Sequence, residues 1–81
     1  MEQHMHFYQD LTQIAENRIK ELIQHAENME AQDHTSLEMG SYFRGSAVTV
    51  YLAWRDVTTG WHTDEDVERL EALAHGTALA D

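Results

Sequence analysis

The side chains with the clearest chemical potential are six histidines, two runs of evenly spaced carboxylates and one arginine–tyrosine stripe. His4-x-His6 is too short a motif to specify a metal site. Among the others, Glu21–His25 stands at ligand spacing on a helical face, and no HExxH occurs. Solvated surface histidines account for this pattern, so no metal and no cofactor is expected. Ser36, Ser41 and Ser46 lack the flanking glycines of a nucleophile elbow, and the chain has no cysteine. Gly40 and Gly45 have no following lysine and make no phosphate loop; with Ser41, Ser46 and Ala47 they suit a close approach between helices. The expectation is a protein that is not an enzyme.

The carboxylate runs are Glu27-x-x-Glu30-x-x-Asp33 and Glu65-x-x-Glu68-x-x-Glu71. Acids three apart on a helix resemble the magnesium-holding helices of MazG-type nucleotide pyrophosphohydrolases, which carry EExxE on one helix and ExxD on the next. Membership would imply a magnesium-dependent helical hydrolase. The doubled glutamate and the second-helix ExxD are both missing, since that region offers Glu38 at its start and Asp56 near its end. Solvated, charge-rich helix faces explain both runs. Arg44, Val48, Tyr51 and Arg55 share a face at spacings of 4, 3 and 4. Two arginines flanking a tyrosine suit a small anionic ligand such as a nucleotide, held at an oligomer interface. Pairing with the chain's own glutamates is the competing account, because those carboxylates are already close at hand.

Three segments must position these groups. From His6 to Ala31, Phe7, Leu11, Ile14, Ala15, Ile19, Leu22, Ile23, Ala26 and Met29 occupy one half of a helical wheel. Polar and charged residues fill the other half, which predicts a long amphipathic helix. The second segment, 36–58, opens on the capping box Thr35-Ser36-Leu37-Glu38 and stops at Thr59-Gly60. Val48, Val50, Leu52 and Trp54 also alternate as a strand would. No second alternating segment exists to pair with them, so helix is preferred. The third segment, 64–75, follows Thr63 with Asp64, Glu65 and Asp66 in its first turn and Gly76 after its end. The expected fold is all-α and a single domain over 1–81, an up-down-up arrangement of two long antiparallel helices and a short third.

Fifteen acidic residues against five basic ones give a net charge of −10. Such a chain lacks the basic footprint for direct nucleic-acid binding and is repelled by anionic membranes. No run approaches the roughly 20 apolar residues of a membrane span. The amino terminus has no signal-peptide character, and the lack of cysteine fits a reducing compartment. A cytoplasmic location is the default expectation. The central segment is nearly neutral and both flanking segments are acidic, so charge is displayed on the outer helices. The favoured partner is a protein with a basic surface, such as one that normally holds DNA or RNA. The expected role is a stoichiometric binding factor, an inhibitor or anti-activator of a larger host machine of the kind phages and mobile elements encode. Asp64, Glu65, Glu68 and Glu71 are its candidate contact residues.

Helix lengths add an expectation of homo-oligomerisation. At about 1.5 Å per residue the three helices measure roughly 39, 34 and 18 Å. A short third helix then leaves one end of the long pair uncovered. Leu22, Ile23, Ala26 and Met29 would face Leu37, Met39, Tyr42 and Phe43 there, as an apolar patch for a second copy or a dedicated partner.

Overall fold

The computed structural model describes residues 2–31 and 37–76, with side chains at 7–31 and 38–76. Among these residues the elements are three α-helices: α1 (Glu2–Glu30), α2 (Leu37–Val57) and α3 (Asp64–Ala74). The fold is all-helical. The alternating stretch Val48–Trp54 is helix throughout, as its lack of a pairing strand required. Helix α1 begins four residues before the expected His6, since neither proline nor glycine precedes it to stop the turn.

The helix ends follow local chemistry. Past the end of α2, the Thr58 hydroxyl donates to the Trp54 carbonyl at 2.7 Å, and Gly60 turns the chain at φ +92°. A side chain at Gly60 would be strained in that left-handed conformation. Thr63 caps α3, its hydroxyl accepting from the Asp66 amide at 3.1 Å. At the other end the His75 amide donates to the Glu71 carbonyl at 3.1 Å, and Gly76 follows at φ +74°. The capping box expected at Thr35–Glu38 involves residues outside those described.

Side-chain pairings show how the helices lie. Glu30 at the end of α1 meets Arg44 near the start of α2, whereas Thr12 meets Trp54 near the end of α2. Residue numbers therefore fall along α2 as they rise along α1. Against α3 they rise together, with Tyr8 bonded to Asp66 and Glu16 to Arg69. Ala15, Ile19, Leu22, Ile23, Ala47, Tyr51, Trp54, Leu70 and Ala74 form one buried cluster among the three helices. Buried Trp54 donates its indole N–H to buried Thr12 at 2.9 Å, so neither polar atom is left unsatisfied by burial. Gly40 is a point of close approach. A Cβ there would come within 2.7 Å of Glu30 Cγ, while Gly45 has nothing within 4 Å and plays no such part.

Candidate functional site

Helix α3 presents its carboxylates in two ways. Asp64, Glu65 and Glu68 are exposed, and no hydrogen bond or ion pair ties them to a side chain among the described residues. Glu71 instead accepts from the buried Tyr51 hydroxyl at 3.0 Å. Burial and that carboxylate together raise the Tyr51 pKa above its ordinary value. The four acids expected to act together are thus three free carboxylates and one structural acceptor.

Asp66, also on α3, anchors the helix to α1. It accepts from the Tyr8 hydroxyl at 2.6 Å and from Arg69 at 2.7 Å, and Arg69 reaches across to Glu16 at 3.1 Å. Lys20 joins Glu16 at 2.9 Å. Burial pushes the Asp66 carboxyl up, but the hydrogen bonds from Tyr8, Arg69 and Thr63 outweigh it and hold the group below the usual carboxylate range. Glu16 behaves alike: burial is outweighed by the Lys20 hydrogen bond and the Arg69 and Lys20 charges.

The arginine–tyrosine stripe is occupied from within the chain. Arg44 donates from two guanidinium nitrogens to the two Glu30 oxygens, at 2.7 and 2.8 Å. This fork raises the Arg44 pKa and lowers that of Glu30, with hydrogen bonding the largest cause for each. Tyr51 is spent on Glu71, and Arg55 stands beside the same hydroxyl. An anionic ligand at Arg44 would have to displace a bidentate carboxylate already in place. The described carboxylates of the two runs do not converge either, and Asp33 lies outside the described residues. Among the described residues, no group of three His, Cys, Asp or Glu side chains comes together as a metal ligand set. No described helix is long and apolar enough to cross a membrane.

The apolar patch differs from expectation. Leu22, Ile23 and Ala26 are buried within the chain, and Met29 and Phe43 are half-buried, with His25 lying against the Phe43 ring. Met39 and Tyr42 are exposed, and the Leu37 side chain lies outside those described. Two features close this end. Small residues on the facing seam, Gly40, Ala26 and Ala47, let α1 and α2 approach closely enough to cover one another. The turn after α3 also reaches farther along α2 than its length suggested, so that a Cβ on Gly76 would lie 3.0 Å from Arg44 Nη1.

The uncovered apolar surface is elsewhere, and the wheel pattern concealed it. Phe7 and Ile14, assigned to the core half of α1, are exposed, Ile14 at 65%. Ile14, with Leu11 and Arg18, borders an open groove of about 280 Å³ whose other wall is Val50, Ala53 and Val57 of α2. Helix α3 contributes no residue to it. A smaller groove of about 230 Å³, beside Lys20, Ile23 and Leu73, lies where α3 meets α1. No protein-family model, no curated protein and no solved structure matches this chain. Its surfaces must therefore be interpreted from their own chemistry.

Proposed function

We propose that this protein acts stoichiometrically, binding a protein with a basic surface as an inhibitor or anti-activator of a larger machine. One observation carries the reading: four of the chain's five cations are paired within the chain while a group of carboxylates is left facing outward. Arg18, Lys20, Arg44 and Arg69 each pair with a carboxylate of the same chain. Asp64, Glu65 and Glu68 stay exposed on one short helix. With a net charge of −10, the field outside the molecule is negative and steers toward basic surfaces. The proposed scaffold is the up-down-up arrangement toward which the side-chain pairings point, completed by self-association. Sequestration of Arg44 by Glu30 argues against the anion-binding alternative, and the dispersal of the carboxylates argues against the hydrolase.

The test is affinity capture from host lysate with the neutralised variant Asp64→Asn/Glu65→Gln/Glu68→Gln beside the parent protein. Glu71 is left in place because it holds Tyr51. A partner held by the parent should be lost as salt rises past about 0.15 M, where the Debye length falls below about 8 Å. It should be captured weakly by the variant. A partner retained equally by both proteins at high salt would exclude the acidic surface as the binding site.

A further inference from the structure

The open groove belongs to a longer pattern. On α2, Met39, Phe43, Ser46, Val50, Ala53 and Val57 follow one another at spacings of 4, 3, 4, 3 and 4. That is a heptad seam, the spacing at which one helix presents knobs to another. It is distinct from the seam one residue further on, Gly40, Arg44, Ala47, Tyr51, Trp54 and Thr58, which faces α1 and α3. Helix α1 repeats the device. Tyr8, Thr12, Ala15 and Ile19 face the core, while Phe7, Leu11, Ile14 and Arg18 follow at heptad spacing beside them as a second seam. Leu11, Ile14 and Arg18 line the groove, and Leu11, like Phe43 and Val50 of α2, is half-buried against the core edge. Because the end of α2 lies beside the start of α1, both second seams open onto one face. A helix with two adjacent heptad seams is built for two neighbours, as in a four-helix bundle. In each of these helices the core seam is covered by the other two helices, and among the described residues the second seam has no helix over it.

We propose that a second copy of this chain occupies the face, the α1–α2 pairs of two protomers closing a four-helix bundle with both α3 helices outside. This names the surface for the self-association included in the proposed scaffold. Charge selects the occupant. The α2 seam carries no charged residue and the one charge lining the groove is Arg18, a cation paired with Glu21, so a basic partner gains nothing there. The free carboxylates of α3 lie on a helix that does not border it. Two copies at −10 each meet with least repulsion on this face. Shape agrees, since the seams alternate large side chains (Phe7, Ile14, Val57) with small ones (Ser46, Ala53), which permits self-complementary interdigitation under two-fold symmetry. The α2 seam is roughly 27 Å long, and two helices are roughly 20 Å across. The projected face is on the order of 500 Å² before side-chain relief, commensurate with the ~800 Å² of accessible surface each partner buries in a standard interface.

Sedimentation equilibrium of the full chain tests this. The parent should have twice the 9.4 kDa chain mass at micromolar concentration. Added salt should tighten the dimer by screening like charges, opposite to its effect on a complex with a basic partner. Val57→Glu should raise the dimer dissociation constant on the order of 100-fold, because it buries an unpaired charge. Ile14→Glu should raise it less, because Arg18 one turn on can pair with the new carboxylate. Circular dichroism should show their helix content unchanged, both positions being exposed in the protomer. Leu52→Glu, also exposed but outside the groove, should leave the dimer intact. A parent that remains monomeric up to about 100 μM overturns both the interface and the self-association reading. A dimer indifferent to Ile14→Glu and Val57→Glu overturns only the interface. A monomer that loses a captured partner on Ile14→Glu also overturns the proposal, giving the face to a heterologous helix.

Discussion

The α1–α2 pair has two long faces of similar apolar content, and only one is covered. On the α3 side, Leu70 and Ala74 are buried against Tyr51 and Ile19, and the margin is fastened by Tyr8–Asp66 and Glu16–Arg69. On the other side, Ile14 and Val57 stand in the open on the walls of the groove, and Phe7 is exposed on α1. The covered side has polar residues at its edges that hold the covering helix in register. The open side is lined by apolar residues apart from Arg18, and its order lies in heptad spacing instead. The difference distinguishes a contact made within one chain, where local pairs suffice, from one suited to another helical pair of the same pattern.

The largest expected effect contrasts these faces directly. Leu70→Ala should cost about 2–5 kcal/mol of unfolding free energy, since a fully buried leucine leaves a cavity that its neighbours fill only partly. Ile14→Ala should cost less than about 0.5 kcal/mol in the protomer. Chemical denaturation at two protein concentrations sharpens the contrast. The Ile14→Ala loss should grow with concentration if the open face is a dimer contact, because the variant forfeits the mass-action stabilisation. Equal losses for the two variants in dilute solution would mean that the faces are not different.

A smaller effect concerns how α3 is held. Thr63→Ala removes the acceptor for the Asp66 amide and should cost about 1 kcal/mol, read as a lower denaturation midpoint. The groove is untouched by this change, so self-association of the folded protein should persist.

The smallest effect is a pH dependence at the covered margin. Glu16 and Asp66 have folded-state pKa values held below their ordinary ones. Their stabilisation is fully present above about pH 4–4.5, the unfolded range, and is lost as pH falls through the lower folded values. Arg69→Gln should remove part of this dependence, worth at most roughly 1 kcal/mol because the pairs are partly solvated. Thermal melts from pH 7 to 2.5 should therefore show the parent's advantage over the variant shrinking in acid. A constant difference across that range would mean that Arg69 does not set these pKa values.

Much of the architecture is legible in the one-dimensional pattern. The apolar spacing of residues 7–29, the stop at Thr59-Gly60 and the cap at Thr63 specify three helices, because backbone hydrogen bonding and capping are satisfied within a few residues. The excess of acid and its concentration in the last helix are equally direct readings of composition. Tertiary structure decided what a helical wheel cannot separate. The wheel placed Ile14 and Ile19 in one apolar half, yet Ile19 is buried and Ile14 is exposed. Which seam faces inward depends on how closely Gly40, Ala26 and Ala47 let the helices approach, and on where α3 settles. Leu22, Ile23 and Ala26 were expected on an open patch and are enclosed for the same reason. The 4-3-4-3-4 spacing on α2 was present in the sequence, but two such seams run one residue apart. Periodicity alone ranks neither above the other. Packing against α1 and α3 chose between them, since burial is a property of what lies opposite a side chain and not of its own hydrophobicity.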